Sequence, residues 1–200
     1  MIREAYEGTA WLFVNTVKQV GATQWEQPGL GIWTVRDLVG HTCRALLTVE
    51  MYLATPATQR EVMRPVDYYL RVQASLADPG SVAARGRAAG LALGPDPITA
   101  VQDIAGRVLA QVQTASDAVL VGTPVGGMRL IDYLPSRIFE LAVHTLDLAA
   151  ALPVTVTLPE TVAAVALHLL ADMALQPDKA PALLLAATGR RALPAGFSVL

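Results

Sequence analysis

Arg137-Ile138-Phe139-Glu140-Leu141-Ala142-Val143-His144-Thr145-Leu146-Asp147 sets a carboxylate and an imidazole four residues apart inside a strongly apolar run. In a helix, residues i and i+4 stand one above the other on the same face. Glu140 and His144 so placed can both reach one metal ion, or can hydrogen-bond each other. Charged groups are almost never fully buried without a partner. The pair therefore lies at the surface or converges on something. Outward from this stretch the apolar period extends over residues 130–151 and stops before Pro153, which predicts one long helix.

The rest of the chain reads as further helices separated by Gly and Pro. Residues 2–21 carry Tyr6, Ala10, Phe13, Val14, Val17 and Val20 at helical period and end at Gly21. A loop containing Pro28, Gly29 and Gly31 leads to Thr34, an N-cap candidate with Asp37 three residues on, close to a capping box. The helix opened there runs to about Ala54. A third helix is expected over Pro65–Leu76 and a fourth over 98–116. Residues 77–97, rich in Ala, Arg, Gly and Pro, read as a surface excursion with a helical turn or two. Residues 117–128 read as a partly extended connection. Pro159 suits the first turn of a sixth helix over 159–175. The run Ala182–Ala187 fits either a short strand or a helix ending at Gly189. Long amphipathic helices without a regular strand pattern predict an all-α bundle. Residues 1–155 are expected to form it, and 156–200 to add a helix and a short tail packed on it.

Composition narrows the function. Of 200 residues, 53% are hydrophobic and 16% charged, with a net charge of −2. No basic patch argues for nucleic acid, and no polybasic tract argues for a membrane surface. No apolar run approaches the ~20 residues of a bilayer span; the nearest, Val154–Leu175, is interrupted by Glu160, His168 and Asp172. One cysteine, Cys43, permits no intrachain disulfide. With no signal-peptide pattern at Met1–Glu7, the expected location is cytoplasmic. The low charge content leaves room for an apolar homodimer face.

Only three histidines are present: His41, His144 and His168. His41 lies on the second helix with Leu38, Ala45 and Val35/Val49 around its face. Two imidazoles and one carboxylate from two helices, His41, Glu140 and His144, make a facial ligand set with positions left open for water or substrate. The competing reading is a satisfied core histidine beside an ordinary Glu–His hydrogen bond. Asp37 and Asp147 are each either a carboxylate orienting an imidazole or a helix-terminal or surface acid. Arg137 either pairs with Glu140 or meets an anionic substrate. His168 is conceivable as a fourth ligand but reads better as a packed or rim histidine. Cys43 should point away from the His41 face as a buried small residue. Trp11, Trp25 and Trp33 are expected to pack the core or loop edges. No Walker loop, dinucleotide fingerprint or Gly-x-Ser-x-Gly elbow occurs.

At these residues the chain resembles a known family. Trp33-Thr34-Val35-Arg36-Asp37-Leu38-Val39-Gly40-His41, with Asp132-Tyr133-Leu134 and Arg137 through Asp147, is similar to the metal-binding domain of mycothiol-dependent maleylpyruvate isomerase, within the DinB-like superfamily. The resemblance runs from the first helix to about Ala151. It implies an up-and-down four-helix bundle with a divalent metal at one end of the core. It implies His41, Glu140 and His144 as the metal ligands. Zinc is the implied metal, with nickel or iron in related DinB-like proteins. The implied chemistry is isomerisation or S-transfer assisted by mycothiol or another low-molecular-weight thiol, acting on a small electrophilic substrate. The isomerase carries a further small domain that helps complete its thiol site, whereas here about 40 residues follow the start of the sixth helix. Three functions therefore stand at this point: a thiol-dependent transferase or isomerase, a metal-dependent hydrolase using the same open site, and a non-catalytic metal-binding or dimerisation module.

Overall fold

The computed structural model describes residues 1–76 and 79–200. Among these the chain forms α1 (Ile2–Val17), β1 (Pro28–Leu30), β2 (Trp33–Thr34), α2 (Val35–Leu53), α3 (Pro65–Leu76), α4 (Pro79–Ala92) and α5 (Pro97–Thr114). There follow β3 (Leu120–Thr123), β4 (Gly126–Arg129), α6 (Leu130–Ala151), α7 (Glu160–Met173) and α8 (Lys179–Ala187). Four helices close a ring in which α1 packs on α6, α6 on α2, α2 on α5, and α5 on α1. This is an all-α helical bundle, as the resemblance implied. α7 covers α6, α1 and α3.

The local signals explain the main helices. The Thr34 hydroxyl accepts from the Asp37 backbone N–H at 3.2 Å, and the Asp37 carboxylate accepts from the Thr34 N–H at 3.1 Å. Both ends of the capping box are thus made, which fixes where α2 begins. α6 starts directly off the β3–β4 hairpin. Asp132 in its first turn takes hydrogen bonds from Arg129 at 2.7 Å and Arg60 at 2.9 Å. The core between the helices is filled by Tyr6, Phe13, Leu38, Leu46, Tyr133, Leu134, Ile138, Leu141 and Leu148, all fully buried. Each such side chain contributes roughly 1.5–3 kcal/mol of burial free energy. The buried threonines Thr9, Thr42 and Thr145 return their hydroxyls to the carbonyl four residues back. No polar group is stranded by placing them inside.

Three expectations are corrected. The first helix ends at Val17 rather than Gly21, the segment to Val20 continuing as turns. Residues 79–92, read as a surface excursion, form a four-turn helix laid tightly on α2; residues 77 and 78 of that stretch lie outside the described residues. The contact uses Gly40 on α2 and Gly90 on α4, where a Cβ on either would strike the opposite backbone. A helix face built of glycine and alanine has no large apolar period to read. Trp11, expected to pack, is 39% exposed, while Trp25 and Trp33 are buried. The two forms left open for Ala182–Ala187 resolve to helix, as α8.

Candidate metal centre

The ring of helices points His41 on α2 and Glu140 and His144 on α6 at one another. One donor atom from each lies within 4.8 Å of those of the other two. The His41 and His144 rings stand nearly perpendicular, with centroids 5.0 Å apart. Glu140 Oε2 is 3.4 Å from His144 Nε2. The other nitrogen of His144, Nδ1, is 3.0 Å from Asp147 Oδ2. Of the two readings open for Asp147, the orienting carboxylate is therefore the one realised. Asp37, by contrast, is occupied by the α2 cap. Trp33 lies on the His41 ring with centroids 4.4 Å apart, and its indole N–H donates to the Ala83 carbonyl on α4. His168 is exposed on α7 and outside this group.

Glu140 has a second anchor that sequence reading missed. The Tyr69 hydroxyl on α3 lies 2.6 Å from Glu140 Oε1 and 3.1 Å from the Ser136 carbonyl oxygen. Its one proton goes to the nearer, charged acceptor. Burial, and then the adjacent carboxylate, raise the Tyr69 hydroxyl well above its ordinary range, so it stays a donor. Arg137 is buried but makes no ion pair with Glu140 among the described residues. Its guanidinium lies over the rings of Tyr68 at 5.3 Å and Tyr133 at 4.9 Å, and its Nε donates to Ser136 Oγ. Tyr133 stands four residues before Arg137 on α6, a short-range spacing, but Tyr68 on α3 is far away in the chain and leaves no such signature.

The charge states follow from this arrangement. Burial, reinforced by His144 and by Arg44 and Arg85, lowers His41 to about 4, so it is a neutral imidazole at pH 7. Burial alone would raise Glu140. The hydrogen bond from His144, the Arg137 charge and the Tyr69 hydroxyl outweigh it and hold the carboxyl at about 2. Burial likewise opposes charge on His144, but the hydrogen bonds to Asp147 and Glu140 prevail and raise it to about 9. His41 Nδ1 is buried with no hydrogen-bond partner. A neutral imidazole, an ionised carboxylate and a second imidazole, fixed by a carboxylate and able to ligate once an ion displaces its Nε2 proton, form the N/O donor set that borderline divalent ions take. The unsatisfied His41 nitrogen adds a polar atom in want of a partner. The residues fit a metal ion. Cys43, buried and pushed up to about 12, is not part of it.

The three side chains open onto a cavity of about 510 Å³, whose wall also includes Arg137, Tyr68, Tyr69 and Pro124 from the β3–β4 turn. That is room for a small organic molecule beside the donors. The family described as mycothiol maleylpyruvate isomerase N-terminal domain matches residues 12–149. The chain belongs to that family. The matched span contains all three donor residues, begins within α1, takes in α2 and α5 whole and ends within α6. α7 and α8 lie beyond it. No curated protein and no solved structure matches the chain significantly. The mycothiol maleylpyruvate isomerase N-terminal domain family comprises DinB-like metal-binding domains, and this chain brings His41, Glu140 and His144 together as a possible metal site. No helix among the described residues is long and apolar enough to cross a membrane.

Proposed function

We propose that His41, Glu140 and His144 bind one divalent metal ion, zinc ahead of nickel or iron, and that the protein is a thiol-dependent transferase or isomerase. The observation that carries this reading is the convergence of three donors, one of them oriented by Asp147, at the wall of a cavity of about 510 Å³. A divalent ion held there would lower the pKa of a thiol and polarise an electrophile. The chain's own residues supply the rest. Tyr69 and His144 hold the Glu140 carboxylate from both oxygens, so it cannot swing out of the site. Arg137, rigid between Tyr68 and Tyr133, offers a fixed positive charge at the cavity wall for a small electrophilic substrate.

The hydrolytic alternative is less well supported. The two carboxylates it would use for proton transfer are engaged, Asp37 in the α2 cap and Asp147 with His144. Thiol assistance needs no such base.

Elemental analysis of the purified protein beside His41→Ala and His144→Ala tests the site. About one metal per chain is expected in the wild type and near none in either variant. Stoichiometric metal in folded His144→Ala protein would refute the ligand assignment. With metal established, a thiol-dependence assay separates the readings: turnover of electrophiles that needs added thiol supports transfer or isomerisation, and hydrolysis without thiol overturns it.

A further inference from the structure

A second cavity of about 290 Å³ opens between α2 and α4, with Leu47, Ala88 and Ala89 in its wall. Arg44, Arg85, Thr48 and Met51 border both this cavity and the larger one beside His41. Half-buried Arg44 and exposed Arg85 therefore stand at the junction of an apolar chamber and the candidate metal centre. Neither has a carboxylate partner among the described residues. Arg85 donates to the Ser81 hydroxyl at 2.7 Å, and the Arg44 side chain makes no hydrogen bond among the described residues. α4 contains no Asp or Glu. The acids of α2 are committed elsewhere, Asp37 to the cap and Glu50 to Arg107 and Gln111.

Two uncompensated like charges facing the same space repel each other and favour an anion between them. Guanidinium forks match a carboxylate in plane and spacing. The adjoining wall of Leu47, Met51, Ala88 and Ala89 is apolar, and the Thr48 hydroxyl beside it is already bonded to the Arg44 carbonyl and to Tyr133. We propose that Arg44 and Arg85 clamp the carboxylate of an amphiphilic organic acid whose apolar body lies in the chamber between α2 and α4. This deepens the proposed function, on which it rests only for the statement that the clamped carboxylate end faces the His41–Glu140–His144 site. The apolar chamber distinguishes such a ligand from a small, wholly polar acid.

The test is calorimetric titration of the full chain with 4-phenylbutyrate and with its neutral amide, 4-phenylbutanamide. Trading a hydrogen-bonded ion pair for a neutral contact costs about tenfold or more in affinity. The acid is expected to bind at least about tenfold tighter than the amide. That preference should collapse in Arg44→Gln and in Arg85→Gln, both with unchanged circular dichroism and melting. It should persist after chelation of the metal and in His144→Ala. A preference that vanishes on chelation assigns the carboxylate to the metal and overturns the clamp while leaving the metal centre standing. Equal binding of acid and amide, binding of neither, or a preference retained in the Arg44→Gln/Arg85→Gln double variant also overturns it. A clamp that persists in a chain with no metal stands although the metal reading has failed.

Discussion

His144 is gripped through both ring nitrogens, Nδ1 by Asp147 at 3.0 Å and Nε2 beside Glu140 at 3.4 Å. A carboxylate behind a ligating imidazole fixes its tautomer and raises its basicity. Asp147 is therefore a positioning residue whose loss leaves the ligands in place but loosens one of them. Asp147→Ala is expected to weaken metal affinity by about 10–100-fold, with Asp147→Asn weakening it less because the amide oxygen still accepts. Asp147 lies at the rim, its side chain 29% exposed, so the melting temperature of the metal-free protein should hardly move. Competition against a chromogenic chelator reads the affinity, and an Asp147→Ala protein that competes as well as wild type defeats the orienting role. At this scale the sequence was legible where spacing is local. The i, i+4 relation of Glu140 and His144 and the Thr34–Asp37 box are short-range signals. Tyr69 reaching Glu140 from 71 positions away is not. Nor is the stacking of Trp33 on His41, since a strand residue's orientation depends on tertiary packing.

The α2–α4 contact is the element on which the second cavity depends. Gly40 and Gly90 let the two backbones approach so closely that a methyl group on either has no place to go. Gly40→Ala should push α4 outward, costing about 1–3 kcal/mol as over-packing does. It should also spread Arg85 from Arg44, and so weaken the acid-over-amide preference. Gly106 on α5 has open space where its Cβ would stand. Gly106→Ala is thus the matched control, expected to be neutral or to stabilise by up to ~1 kcal/mol through helix propensity. Urea melts of the two variants check this; equal stability of Gly40→Ala and wild type would mean that the close approach is not tight in solution. The same contact explains why α4 escaped sequence reading. α2 and α6 announce themselves by large apolar residues at helical period. α4 buries backbone against backbone, and its Pro-Gly-Ser-Val-Ala-Ala-Arg-Gly-Arg-Ala-Ala-Gly composition resembles a loop.

Across the whole molecule, the candidate centre joins α2 to α6, two helices already packed along their length. Their shared core of Leu38, Leu46, Leu134, Ile138 and Leu141 is fully buried without help from any ion. His41 Nδ1 apart, the polar cluster is also compensated without one, since the Glu140 carboxylate faces the His144 imidazole and takes the Tyr69 proton. The chain is therefore expected to fold metal-free, unlike small zinc modules that lack a core. A metal that binds only the folded state still adds stability by mass action, about 2.7 kcal/mol when free metal is 100 times its dissociation constant. For a chain of 200 residues, each kcal/mol shifts the melting temperature by roughly 2–4 °C. Chelation should thus lower the melting temperature by about 5–10 °C at that excess, with helical circular dichroism at 25 °C unchanged and the loss reversed by restoring the ion. His41→Ala and His144→Ala should melt at one temperature with or without metal. Scanning calorimetry of the loaded and chelated forms decides it. Wholesale loss of helix on chelation would mean that the ion, not the core, holds the bundle. A metal-loaded wild type that melts no higher than its chelated form would mean that the ion has no preference for the folded chain, and would overturn a built site.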